Sequence, residues 1–399
     1  MKTSAFVYPW DVNGDPEAPG RLAALGVEQV TLAAAYHSTR ALTPRHPRHR
    51  VVTAEHAAVL YPVDDRWESR TLRPYPAGDW APGDAYGEAA AALAEAGLEV
   101  HTWVVLAHNS RLGAEHPDTS VVNAYGDRYP WAPCVAQPAT RAYLTELAAE
   151  AAVRPGARGT ELESLGWYGL AHLHAHDKTA GVGLEGAGQY LMSLCFCPAC
   201  RAGYGEQGLD PEELARAVRS ALEPVWQGAP SGGGTARSSE GETGGGWAGV
   251  VKLLGETRAD ATRAWRDHSA RTLQEAAVAA VRAAGPDGFQ VLLHADPVSY
   301  HCGANAGVDP AHILSVADGV VVPCTGGSGP LTPFAEQGRP DAVLAANFMI
   351  VSGMGGSPGT LGRDIARARD LGATELRLYH AGLASDGDLA AARSALAGR

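Results

Sequence analysis

Long apolar runs are missing from this chain of 399 residues, and no segment approaches the length of a membrane-spanning helix. The opening stretch, residues 1–14, has no apolar core of signal-peptide length, and Asp11 arrives too early for one. No secretory leader and no membrane partner are therefore expected, and a cytoplasmic location is. Basic charge is also scarce. Lys and Arg total 32 against 44 Asp and Glu, a formal net charge of −12, which argues against a nucleic-acid groove or an anionic membrane surface. Phe is rare, with 5 residues against 9 Trp and 13 Tyr. Trp and Tyr combine a flat apolar face with a polar handle, which suits sugar stacking and ordinary cores alike. There is no internal repeat and no clean domain boundary.

What is present is an alternation. Short β-rich apolar runs occur at 5–10, 29–35, 99–106, 160–166, 289–295, 319–324, 342–349 and 375–380. Helical patterns rich in Ala, Leu, Glu and Arg lie between many of them, at 86–96, 140–153, 257–284, 360–371 and 389–397. Strand and helix alternating eight times predict an α/β fold, a closed (β/α)8 TIM barrel in one domain over 1–399. No Gly-rich phosphate loop follows the first strand, so a doubly wound open sheet lacks its usual support. Two connections exceed plain barrel loops. Residues 36–84 predict a hairpin excursion over the barrel mouth, and 167–227 form an insertion after strand 4. The run 228–247, rich in Gly and Ser, reads as a flexible loop without chemistry.

That insertion carries Cys195, Cys197 and Cys200 in a C-x-C-x-x-C run. Three such thiols can converge on one metal ion, and a fourth from a distant loop closes a tetrahedral thiolate shell. Cys134 is the candidate fourth ligand, and structural zinc is the expected cofactor. Disulfides fit less well where no secretion is expected. The remaining cysteines, Cys302 and Cys324, read as small buried residues. The context of Cys134 is Ala132-Pro133-Cys134, then Gln137-Pro138 and Arg141-Ala142-Tyr143. Together with the C-x-C-x-x-C run, this resembles the zinc-cluster pattern of glycoside hydrolase family 42 β-galactosidases and related clan A barrel glycosidases. The resemblance covers 108–205 and marks a distant relative. It implies a TIM-barrel scaffold with a structural metal, and a site built on the strand ends. The match has departures. Leu162, where the family has Asn, precedes Glu163, and strand 7 (Leu344 to Met349) offers Asn347 but no acid where the family keeps its nucleophile.

Active sites of such barrels lie at the C-terminal strand ends. Glu161 and Glu163 share one face of strand 4 because strand side chains alternate. In the barrel interior both carboxyls are expected to have raised pKa values, which a general acid needs. Glu163, nearer the mouth, is the expected acid/base, and Glu161 a supporting group or a structural ion pair. Glycoside hydrolysis generally needs a second carboxylate. Asp296 after strand 5 is the first candidate, and Asp11 the next. Candidate substrate-binding groups at the strand ends are Trp10, Asp11, His108, Asn109, Trp167, Tyr168, His172, His294, Asn347, Tyr379 and His380.

The expectation is a hydrolase acting on O-glycosidic bonds of a small carbohydrate or glycoside, with a homo-oligomer left open. Two rivals stand beside it. The run His172, His174, His176 with Asp177 could hold a catalytic metal or simply line the pocket. A sugar-binding barrel without turnover would also account for the missing strand 7 acid.

Overall fold

The computed structural model describes residues 1–173, 177–184, 186–229 and 246–398. Eight parallel strands follow one another in space as they do in sequence: β1 (Lys2–Val7), β2 (Gln29–Tyr36), β3 (Glu99–Val105), β4 (Ala157–Glu163), β5 (Gln290–Asp296), β6 (Gly319–Pro323), β7 (Val343–Met349) and β8 (Glu375–Tyr379). β8 pairs with β1 and closes the barrel, as expected from the alternation. Around it run α1 (Ala18–Leu25), α2 (Ala85–Glu95), α3 (Pro138–Ala152), α4 (Glu256–Ala284), α5 (Pro310–Val316), α6 (Thr332–Ala335), α7 (Leu361–Asp370) and α8 (Asp386–Ala397), one after each strand.

The strands read as near-continuous apolar runs because parallel strands are covered on both faces. All of β2 is buried, Gln29 and Thr31 included. Helix starts are written locally. Pro138 and Pro310 occupy first-turn positions of α3 and α5, where the missing N–H costs nothing. Ser385 caps α8 in a reciprocal box with Asp388. Gly26, at φ 92°, ends α1 in the left-handed region and turns the chain into β2. α1, α5 and α6 are too short to show a clear 3.6-residue period, and they escaped the sequence reading. The first strand ends at Val7, three residues before the predicted end, because Pro9 starts a 3-10 turn over Pro9–Asp11.

Two excursions position the site. After β2, Thr39–Leu42 and Val51–Ala54 pair as an antiparallel hairpin. Its inward residues Ala41, Val52 and Ala54 pack on Tyr8, Trp10 and Tyr36 at the C-terminal end of the barrel. Arg45 at the hairpin tip donates to the carbonyls of Ala381, at 2.6 Å, and Ala384, fastening the hairpin to the loop after β8. After β4 come helices Ala187–Met192, Pro198–Glu206, Pro211–Trp226 and Gly246–Leu254, which precede α4. Most of the predicted flexible run 228–247 lies outside the described residues.

Candidate active site

Alternation along β4 turns Gly159, Glu161 and Glu163 into the barrel. Gly159 leaves room for a neighbour: a Cβ there would stand 2.6 Å from the His101 ring and 2.7 Å from the Gln290 carbonyl. Glu161 is wholly buried. Its Oε1 accepts from Arg377 Nε at 2.5 Å and from Thr31 Oγ1 at 3.1 Å, and its Oε2 lies 3.3 Å from His294 Nε2. Burial by itself would raise this carboxyl, but the Arg377 charge and His294 outweigh it and hold the pKa down to about 2. The raised value expected for Glu161 is therefore corrected. Arg377, equally buried and also paired with Glu375 at 2.9 Å, was not legible as its partner. Arg377→Met should cost about 3–5 kcal/mol in urea unfolding, because it strands a buried charge. A loss under about 1 kcal/mol would mean that Glu161 does not depend on the pair.

Glu163 ends β4 nearer the mouth and is 8% exposed. Trp103 of β3 donates its indole N–H to Oε2 at 2.7 Å, and His294 Nδ1 lies 3.9 Å from the same oxygen. Burial pushes this carboxyl above its ordinary value, with Glu161 adding to the rise, while His294 and Trp103 pull part of the way back. Two carboxyls on one face thus have opposite environments, one fixed as an anion and one biased toward the protonated form. The next residue, Ser164, holds φ at 57°, a left-handed conformation that costs a non-glycine residue about 1 kcal/mol or more. Its backbone N–H donates to Ala304 at 2.8 Å and its carbonyl accepts from Ala107 at 3.1 Å, which keep the turn beyond Glu163 in place.

Aromatic groups surround this carboxyl. Phe6 packs edge-on to Trp103 and His294. Tyr8 stacks on Trp10 and on His380, with centroids at 4.5 and 4.3 Å. The Tyr8 hydroxyl donates to that of Tyr36 at 3.1 Å, and Tyr36 lies 3.5 Å from the Tyr379 hydroxyl. The β3 and β4 ends add His108 and Tyr168, stacked at 4.2 Å, with His172 Nε2 3.2 Å from the Tyr168 hydroxyl. Several buried polar atoms here have no hydrogen-bond partner among the described residues: Trp10 Nε1, Asp11 Oδ1, Asn347 Oδ1 and both His380 ring nitrogens. Each such atom costs about 1–3 kcal/mol if left dry, so the cluster is suited to a polar ligand or to water.

The other sequence candidates are placed as follows. Asp296 ends β5 with its side chain 30% exposed, accepts from Val298 N at 2.8 Å and pairs with His301 at 3.0 Å. Asp11 is enclosed under Tyr8, whose N–H it accepts at 2.8 Å, and burial raises its pKa to about 7 against the pull of that bond and of Arg45. His380 stands 4.0 Å from it, too far for a hydrogen bond. Asn109 caps the helix Ser110–Glu115 by accepting from Leu112 N, so its side chain has a structural task. Trp167 packs on Arg266 of α4 and donates to that residue's carbonyl, a place in the insertion's core where the sequence suggested a stacking surface. Cys324 is buried, whereas Cys302 is only half-buried and sits against the Arg266 guanidinium. His174 and His176 lie outside the described residues. Tyr8, Tyr36 and Trp103 were missed as site residues. Their inward parity on β1, β2 and β3 was the available signal.

The four cysteines of the sequence pattern do meet. Their Sγ atoms lie within 4.8 Å of one another, all buried, the one such group of possible metal ligands among the described residues. Cys134, just after the strand Arg128–Pro133 of the β3 connection, stands 3.6 Å from both Cys197 and Cys200. Cys195 Sγ accepts backbone N–H groups of Val122 and Cys197, each at 3.4 Å, the orientation expected around a thiolate. Burial pushes the Cys134 and Cys200 thiols up, while hydrogen bonds from the neighbouring thiols hold Cys197 down, so a bound cation would favour ionising the two that burial opposes.

No family model matches the sequence, and no curated protein does. Solved structures do match. The α-L-fucosidase isoenzyme 2 of Paenibacillus thiaminolyticus aligns at TM-score 0.60 and 12% identity, over 100% of this chain and 49% of that one. A β-galactosidase of the psychrophilic Marinomonas ef1 gives 0.55 and 9%, over 100% and 59%. The β-amylase catalytic domain of Paenibacillus polymyxa gives 0.56 and 13%, over 98% and 97%. The chain thus spans less than two thirds of the first two. At these identities the likeness concerns the fold: this chain has the (β/α)8 barrel seen in those glycoside hydrolases.

Proposed function

We propose that the protein hydrolyses a glycoside with Glu163 as the general acid. The observation that carries this reading is the contrast between Glu161 and Glu163: adjacent inward carboxyls, one locked as an anion by Arg377 and the other biased toward its protonated form at the barrel mouth. Glu163 gives its proton to the leaving oxygen as the glycosidic bond breaks, and Trp103 then donates to the carboxylate that remains. Trp10 and Tyr379 offer an indole and a hydroxyl to the sugar, Asn347 and His380 offer polar atoms, and Tyr8 backs them by stacking on Trp10 and His380. Asp296 is the better second carboxylate, because water reaches it and His301 orients it; Asp11 is enclosed. With an accessible acid on β5 and none on β7, the arrangement favours a base acting on water over a nucleophile attacking the sugar, and so inversion.

The test is a glycoside panel followed by proton NMR of the first-formed anomer. Inversion is expected, together with a loss of about 100-fold or more in Asp296→Asn. A retained anomer, or full activity in that variant, would remove Asp296 from the mechanism. For the cysteine set the reading is a structural zinc ion held by Cys134, Cys195, Cys197 and Cys200, remote from the reacting bond; such an ion supplies folding free energy.

A further inference from the structure

Arg266 of α4 is 2% exposed, and among the described residues no carboxylate pairs with it. The adjacent Asp267 is taken by Arg263, at 3.6 Å, and by the Ser299 hydroxyl, at 3.3 Å. Arg266 donates through Nη1 to the Ser193 carbonyl at 3.0 Å and through Nη2 to Cys302 Sγ at 2.8 Å. Its buried Nε has no partner among the described residues. The rings of Trp167 and Tyr190 each lie 5.0 Å from the guanidinium carbon and wall it in.

Charge balance singles out the sulfur. A guanidinium stays protonated throughout the working pH range, and burying it without a counter-charge is strongly unfavourable. Three side chains bear on Cys302: Arg266 from α4, Tyr190 from the helix Ala187–Met192 and Tyr129 from the strand Arg128–Pro133. Burial raises both tyrosines, Tyr190 to about 12, so both stay protonated. Their hydroxyls donate elsewhere, Tyr190 to Thr262 at 3.0 Å and Tyr129 to the Met192 carbonyl at 2.8 Å. His301, the preceding residue, pairs with Asp296 at 3.0 Å. Cys302 is then the one described group in contact with Arg266 that can carry a counter-charge. The contact is also closer than the 3.4 Å at which backbone N–H groups approach Cys195, as a charge-assisted bond is. Cys302 is half-buried, so a small molecule can reach its sulfur. Gly169 leaves space beside it: a Cβ there would stand 3.1 Å from Sγ.

We propose that Cys302 and Arg266 form a reactive thiolate site whose substrate class is a small hydroperoxide. The inference makes no use of the glycosidase reading. In the step, the sulfur attacks one peroxide oxygen, and the S–O bond forms as the O–O bond breaks. The leaving oxygen departs with the electron pair and takes a proton from water. Cysteine is oxidised by two electrons to the sulfenic acid, and hydrogen peroxide is reduced to water. Arg266 is the positioning residue, because it holds the sulfur in the ionised form that attacks. The other cysteines have no such partner: four face one another, and Cys324 Sγ lies against the Val322 carbonyl.

The test exposes the whole protein, purified under reducing conditions, to hydrogen peroxide. Dimedone traps the sulfenic acid, and mass spectrometry of the peptides locates it. Label is expected on Cys302 ahead of the other cysteines, and Arg266→Gln should slow labelling by about tenfold or more. Exposure alone would also favour Cys302, so the pH dependence decides. Between about pH 6 and 8, alkylation of Cys302 by iodoacetamide in the parent protein should change less than about threefold, whereas an ordinary thiol gains close to tenfold per pH unit. This readout needs no variant and serves if Arg266→Gln fails to fold. A slope of close to tenfold per unit, or a folded Arg266→Gln protein that reacts at the parent's rate, would overturn the pair. A flat profile without dimedone label would overturn the hydroperoxide as its substrate class.

Discussion

Glu163→Gln should abolish turnover, by about 100-fold or more, and leave the fold intact. The amide keeps the size of the side chain and its oxygen can still accept from Trp103, so packing around the β4 end is preserved. What is lost is the proton. The measurement is kcat on an activated and a natural-type glycoside in parallel. The deficit should be smaller for the activated one, whose leaving group needs little protonation. The pH dependence follows from the direction of the shift. Burial raises the Glu163 pKa, so the acid form persists above the ordinary carboxylate range, and activity declines as pH rises through that raised value. In the Gln variant this alkaline limb should disappear. Equal activity of parent and variant would eliminate Glu163 as the acid. Glu161 would not inherit the role, because its proton is held off by Arg377 across the working pH range.

That distinction between two neighbouring glutamates marks the limit of the sequence. The parity of Glu161 and Glu163 is legible, since a strand assignment fixes which side chains share a face. Their opposite acidities are not, because the deciding partner, Arg377, lies 216 residues away on β8. The barrel is legible because all eight strands carry their own apolar runs. Among the elements that escaped, α1, α5, α6 and the small hairpin Ser120–Val122 with Arg128–Pro133 are too short for a period to emerge. Asn109 and Trp167 show what strand position leaves open. Both follow strand ends and carry suitable groups, yet one satisfies a helix N-terminus and the other packs against α4. Residue type and position along a strand do not state which way a loop turns, so strand-end residues are over-assigned to a pocket. The cysteines did better because a metal set constrains both spacing and chemistry.

Purified under reducing conditions, the protein should carry about one zinc ion per chain, and Cys197→Ser should lose it along with much of the stability. At a Zn–S distance of about 2.3 Å, a regular tetrahedron places its sulfurs about 3.8 Å apart. The 3.6 Å separations from Cys134 to Cys197 and Cys200 are close to that edge. The ion would join the β3 connection, through Cys134, to the insertion, where Cys195 and Cys197 precede the helix Pro198–Glu206 and Cys200 lies in its first turn. Without it four sulfurs crowd a buried space with only weak S–H bonds among them, and the insertion after β4 loses one of its ties to the β3 connection, beside hydrogen bonds such as Tyr129 to the Met192 carbonyl. Loss of a structural metal belongs with the rare substitutions that cost more than about 4 kcal/mol. Cys324→Ser, a buried cysteine outside the cluster, is the control and should leave the zinc in place. Activity should fall with the metal as well, because the insertion supplies Tyr168, which stacks on His108 beside the mouth. It should fall in step with unfolding of the insertion, as a structural ion requires, and a metal-free protein that stays folded should keep turning over. A reduced preparation free of metal, or Cys197→Ser with unchanged thermal stability, would leave the four cysteines as a packed thiol cluster and nothing more.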